Sequence, residues 1–168
     1  MSNALQTKPR IFSHKAKVCI VASKYNEQFT DALVENAISE LGELIPMARI
    51  DLIRVPGAFE IPVVVSKLIQ RSDINCIITL GLIIRGQTQH ADLVASSVTS
   101  SLQELAVQNC VPIIHEVLLV EDEKQAHARC IAASMNRGRE AARAAVAMID
   151  IFTEIEKSIP KSSPNNLR

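Results

Sequence analysis

The sequence predicts a three-layer α/β/α sandwich, with helices on both faces of a mostly parallel four-stranded sheet. Two observations carry this expectation. Apolar runs of strand length alternate along the chain with stretches whose apolar residues recur at helical spacing. The apolar runs are continuous, which is the pattern of strands covered on both faces. Strands and helices in alternation build parallel sheets through crossover connections.

The elements follow in order. Lys17–Ser23 (KVCIVAS) reads as a buried strand, and Phe29, Leu33, Ala37, Ile38 and Leu41 then recur on one helical face. Arg49–Val55 (RIDLIRV) reads as the second strand. Ile61, Val64, Val65, Leu68 and Ile69 line the next helix. Pro62 falls in its first turn, where a missing N–H costs nothing. Cys76–Ile84 (CIITLGLII) is the third strand, and Val94, Val98, Leu102 and Leu105 line a third helix. Residues 111–120 (VPIIHEVLLV) read as the fourth strand and residues 122–133 as a short helix. Ala141, Ala145, Met148, Phe152 and Ile155 line the last helix, with Gly138 near its start. No internal repeat, low-complexity block or linker interrupts this series. The 168 residues therefore read as one domain over 17–157, with an N-terminal extension (1–16) and a polar, Pro-punctuated tail (158–168).

Composition narrows the function classes. Lys plus Arg is 18 and Asp plus Glu is 18, so the formal net charge is zero. That balance argues against broad nucleic-acid or anionic-membrane binding, both of which need a basic excess. It also leaves little repulsion to oppose self-association. Hydrophobic residues make up 48%, enough for a core. No run approaches the roughly twenty apolar residues of a membrane span, and the N-terminus lacks the apolar stretch of a signal peptide. The expected location is cytoplasmic. Cys19, Cys76, Cys110 and Cys130 form no metal-type pair and read as reduced thiols, with Cys19 and Cys76 as small core residues. His14, His115 and His127 show no metal-ligand spacing with His90, so no metal site is expected.

In open parallel sheets, ligands bind beyond the carboxyl ends of the strands. That rule selects residues 24–28, 56–60, 85–92 and 115–121, where the unusual residues of the chain fall. In IRGQTQHAD (84–92), Gly86 permits a sharp turn. Gln87 and Thr88 then present backbone N–H groups near a helix start, which suits an anion as well as it suits an ordinary strand–helix turn. GLIIRGQT (81–88) superficially matches a nucleotide-binding P-loop. It lacks the Lys, and the residues between its glycines are strand, so that reading is rejected. His90 is either a helix-capping imidazole or a proton carrier beside the turn. Glu60, in VPGAFEIP (55–62), is either a helix-terminus carboxylate or an acceptor for ligand hydroxyls, and Phe59 either core or site. Tyr25, an aromatic in the polar loop SKYNEQ, is placed to stack on a flat ring. Arg129 and Arg137, flanking the short helix and the following turn, are either solvated surface residues or bidentate donors to a phosphate.

These pieces, in this order, resemble the 6,7-dimethyl-8-ribityllumazine synthase family from about residue 17 to residue 152. The motifs that carry the resemblance are VPGAFEIP and GLIIRGQTQHAD, with Tyr25-Asn26 before them and VPII, Arg129 and NRG (136–138) after them. The resemblance implies a flavodoxin-like fold. It implies condensation of 5-amino-6-(D-ribitylamino)uracil with 3,4-dihydroxy-2-butanone 4-phosphate, in riboflavin biosynthesis. Tyr25 would stack on the pyrimidine; Ala58, Phe59 and Glu60 would hold the ribityl side; Leu82, Ile83 and Ile84 would bind the ring through backbone groups. Gln87 and Thr88 would hold the phosphate, Arg129 would clamp it, and His90 would move protons. The resemblance leaves Asn26 and Arg137 as candidates for the site, outside the set given a role. The neighbouring subunit of a homopentamer, or of a multiple of pentamers, would supply His115 and Arg129. No metal or organic cofactor is implied. The chain departs from the family pattern at His115, where an aromatic is usual, and at Glu116, where a small residue is usual. It departs again at Ala133 and Lys24, which replace a usual Lys and a usual Arg. A non-catalytic flavin- or lumazine-binding paralogue is the alternative that His115 and Glu116 favour. A monomeric flavodoxin-like or nucleotide-binding module is a third.

Overall fold

The structure, a computed structural model, describes residues 15–159. The extension over 1–16 and the tail over 158–168 fall almost wholly outside the described residues. Strands β1 (Lys17–Ser23), β2 (Arg49–Val55) and β3 (Cys76–Ile84) occupy the expected residues. Strand β4 is Ile113–Val120, two residues shorter than expected at its start. Pro112 has no N–H to donate to a ladder. Its carbonyl accepts from Ile77 N at 2.9 Å, and the register then starts at Ile77 opposite Ile113.

The helices are α1 (Glu27–Leu44), α2 (Ile61–Ile69), α3 (His90–Asn109), α4 (Glu123–Cys130) and α5 (Arg137–Ser158). Single 3-10 turns precede α2 (Ala58–Glu60) and follow α4 (Ala133–Met135). The helix expected over 122–133 is thus shorter. Asp122 caps it, accepting from Gln125 N at 2.7 Å. Buried Asn136 separates it from α5: Nδ2 donates to the Cys130 carbonyl at 2.8 Å, and Oδ1 accepts from Arg139 N at 3.2 Å.

All strand pairs are parallel, in the order β2-β1-β3-β4. Alternation along the strands feeds two apolar layers. Val18, Ile20 and Ala22 pack with α1, α4 and α5, whereas Cys19 and Val21 pack with α2 and α3. Cys19 and Cys76 are buried, as expected of small core residues. Two periodic positions are exposed, and Met148 and Phe152 of α5 are only partly buried. Ile38, 37% exposed, sits one residue around from the Leu33–Ala37–Leu41 stripe of α1, and Ile155, 49% exposed, lies beyond Ile149, the last buried residue of α5. No helix of the described residues is long and apolar enough to cross a membrane.

The buried charged groups among the described residues, Lys17, Glu40 and Arg143, are paired. Lys17 reaches Asp73 at 2.7 Å and Asp51 at 3.3 Å below the amino ends of the strands. Arg143 of α5 donates to Glu40 of α1 at 2.7 Å, both nearly buried. Replacing Glu40 by Gln keeps the volume but removes a charge-assisted bond. The expected loss is about 2 kcal/mol of stability, read as a lower urea midpoint at unchanged slope.

Candidate active site

Strand lengths create the site. β1 stops at Ser23 opposite Val55, and β3 pairs with β1 only as far as Leu80. Residues 81–84 continue beyond it, held by β4 alone. Backbone groups alternate sides along a strand. Arg85 N faces β4, donating to Val120 O at 2.9 Å, whereas Leu82 O faces the open edge. By the same alternation, Ile84 turns its N–H and C=O to the open edge.

The β1–α1 loop folds against this edge. Lys24 N donates to Val55 O at 2.8 Å and Tyr25 N to Pro56 O at 3.2 Å, fastening the loop to the end of β2. Asn26 is left-handed, with φ 57°, a conformation Asn tolerates better than most residues. It stands at the N-cap of α1 without capping it. Its Nδ2 instead donates to Leu82 O at 2.8 Å, joining loop to strand. Tyr25 is left 73% exposed.

The β2–α2 turn forms the second wall. Buried Ala58 and Ile61 anchor it, and Phe59 stands 61% exposed. Glu60 folds back so that Oε2 accepts from Gly57 N at 2.9 Å. A Cβ at position 57 would meet that oxygen at 2.9 Å, so the fold-back favours glycine. The third wall follows β3. Arg85 bridges Asp92 of α3, at 2.5 Å, and Glu121 just past β4, which pins the base of the 85–89 loop. Helix α3 starts at His90, whose N–H lies 3.5 Å from Thr88 Oγ1.

These strand ends enclose a cavity of about 520 Å³. Tyr25 and Asn26 line it from the first loop, and Ala58, Phe59 and Glu60 from the second. Leu82, Ile83, Ile84, Thr88 and His90 line it from β3 and its turn. Gly57, Gly86 and Ala91, which lie in the selected strand-end places but had no ligand role assigned, also line it, as does Val94, which the helical spacing had placed in the core. For Ala91 and Val94 the helical period was the available signal, since they share the face of α3 that starts at His90.

Four expected residues stand elsewhere in the single subunit. Gln87 is exposed on the turn, off the cavity lining. His115 lies inside β4, opposite Thr79, with Nε2 3.1 Å from Thr99 Oγ1 of α3. Burial pushes its imidazole pKa below the ordinary value. The fourth strand-end place therefore starts at Glu121, because residues 115–120 are still paired in the sheet. Arg129 sits on the last turn of α4, and Arg137 opens α5 in an ion pair with Glu140.

A parallel sheet with strand-end loops that gather an imidazole, a carboxylate, a hydroxyl and an open strand edge around one cavity defines an enzyme of the flavodoxin-like α/β/α class. The family model described as 6,7-dimethyl-8-ribityllumazine synthase matches residues 15–153. The chain belongs to that family. It is similar to proteins named 6,7-dimethyl-8-ribityllumazine synthase in three bacteria. With that of Pediococcus pentosaceus it shares 37% identity over 144 residues, covering 85% of this chain and 92% of the relative. With that of Stenotrophomonas maltophilia the identity is 38% over 141 residues, covering 83% and 91%. With that of Xanthomonas oryzae pv. oryzae it is 39% over 138 residues, covering 82% and 90%.

Proposed function

We propose that this chain condenses 5-amino-6-(D-ribitylamino)uracil with 3,4-dihydroxy-2-butanone 4-phosphate to 6,7-dimethyl-8-ribityllumazine, releasing phosphate and water. The carrying observation is the single cavity where the open edge of β3, Glu60, Thr88 and His90 meet. The pyrimidine lies against Tyr25, and its donors and acceptors pair with the Leu82 N–H and the open backbone groups of Ile84, with Ile83 packed between them. The ribityl chain runs past Ala58 and Phe59 to the Glu60 oxygen that Gly57 leaves unused. The butanone phosphate sits at the 86–88 turn, held by Gln87 and Thr88.

The ring amine attacks the ketone and gives an imine with loss of water. Proton removal then expels phosphate and leaves an enol that becomes a ketone, and the second amine attacks that ketone and closes the ring with loss of a second water. Each step moves a proton, a task suited to the imidazole of His90. Cations and amides around the phosphate ease its departure. Arg129 and His115 reach this site from the next subunit of a pentamer, with Arg137 close behind, in a cytoplasmic assembly. The test is turnover of the two substrates by protein whose mass is measured on the same sample. Pentamers that form lumazine support the reading; assembled protein without turnover contradicts it.

Asn26 positions the pyrimidine pocket by holding the Leu82 carbonyl. Asn26→Ala loses that bond and places a less tolerant residue at positive φ. The expected result is about a tenfold higher KM for the pyrimidine, equal to about one lost hydrogen bond, with KM for the ketone phosphate changed far less. Steady-state kinetics with each substrate varied in turn checks this.

A further inference from the structure

A mixed-charge cluster on the face of β4 away from the cavity remains to be explained. Ile114 and Leu118 of β4 pack into the layer formed by α1, α4 and α5. Glu116 points the same way between them, with Leu80 opposite it on β3. Its carboxyl makes no hydrogen bond among the described residues. Its charged neighbours come from the two helices packed over it: Arg137 and Glu140 from α5, and Arg129 from α4. Cys130 of α4 is the other titratable group facing it, a buried thiol pushed up to about 12 by that burial. Glu140 is ion-paired with Arg137, whereas Arg129 makes no hydrogen bond or ion pair among the described residues. The Asn136 side chain fixes the α4–α5 connection, with Arg129 just before it and Arg137 just after it, both within electrostatic range of one half-buried carboxylate.

We propose that Glu116 is a positioning residue that competes with the substrate phosphate for Arg129 and Arg137. Neutral, it leaves Arg129 to the anion and Arg137 shared only with Glu140; ionised, it draws both guanidinia back toward β4. This rests on the reading that Arg129 clamps the phosphate in a neighbouring subunit's site. Burial is the largest influence on Glu116 and pushes its carboxyl up to about 7, with Glu140 adding to it and Arg137 and Arg129 opposing. The sign follows. Glu116 is neutral on the acid side, so oxyanion affinity is highest there and falls as the pH rises through about 7.

Sulfate tests this on the assembled full-length protein, because its charge stays constant across the neutral range. Between about pH 6 and pH 8, wild-type affinity for sulfate falls about fivefold more than that of Glu116→Gln, the scale of a part-exposed charge pair. KM for the ketone phosphate shows the same difference, while the pH profile of kcat does not. His90 is common to both proteins and cancels in the comparison. Parallel sulfate profiles overturn the proposal. If Glu116→Gln does not assemble, the wild type decides alone. Reciprocity requires sulfate to take up protons near pH 7, measured by calorimetry in buffers of different ionisation enthalpy, and no uptake overturns the proposal. Arg129→Ala separates the two readings. Unchanged sulfate affinity in that variant refutes the phosphate clamp itself. Lost affinity there, combined with parallel Glu116→Gln profiles, refutes the role of Glu116 only.

Discussion

His90→Ala is expected to lower kcat by about 10² to 10⁴, the usual contribution of a positioned acid–base group. The loss belongs in kcat because other groups bind the substrates. Tyr25, Phe59, Glu60 and the open edge of β3 remain in place, and the 86–88 turn proposed to meet the phosphate precedes residue 90. Both KM values should therefore stay within about threefold of wild type, the signature of an interaction made in the transition state. The fold should tolerate the change. His90 opens α3 at its exposed first residue, and its side chain makes no hydrogen bond among the described residues. Steady-state kinetics on the assembled variant is the measurement. A loss of less than tenfold would mean that the proton carrier is another group, or that positioning alone drives the condensation.

The strands were legible because their signal is one-dimensional. A run such as CIITLGLII has no polar face, and only a strand between two helical layers fits it. Boundaries were less legible where a single atom decides them. β4 starts after Pro112 because proline lacks an N–H, and α4 stops at Cys130 because Asn136 takes that residue's carbonyl. Ile38 illustrates a different limit. Its spacing fits a helical face, but the stripe on α1 is narrow enough that one residue, about 100° around, reaches solvent. In the site, the strand-end rule found the three walls because it concerns topology, which the pattern of elements fixes. It failed to see that β3 outruns β1, since register leaves no mark in either strand alone. It also took His115 for a strand-end residue when five further ladder positions follow it. The left-handed Asn26 and its bond to Leu82 were equally hidden, because that contact spans 56 positions of sequence.

Gly138→Ala is expected to be the most damaging small substitution in the fold. In an open helix the change would be favourable, by up to about 1 kcal/mol. Gly42, in α1 with nothing within 4 Å of an added Cβ, supplies that control, and Gly42→Ala should gain roughly that amount. At Gly138 the sign reverses. A Cβ there would lie 2.3 Å from the Leu33 carbonyl oxygen and 3.1 Å from its carbon. The obstacle is the backbone of the buried face of α1, so no rotamer relieves it. The facing residues Ala141, Ala142 and Ala145 of α5 are small and fully buried, which leaves the 22-residue helix no looser seat against α1. The helices must separate, opening the layer that holds Leu33, Ala37 and Leu41. The expected cost is about 4 kcal/mol, at the upper end of overpacking effects. That amounts to a melting temperature lowered by roughly 10 °C. Gly138 lies two residues after Asn136, so the displacement also moves the connection that carries Arg129 and Arg137. The folded fraction of Gly138→Ala should then show a raised KM for the ketone phosphate and a smaller change for the pyrimidine, whose walls are built on the other loops. A melting temperature equal to that of Gly42→Ala would show that α1 and α5 do not approach as closely as their glycine contact requires.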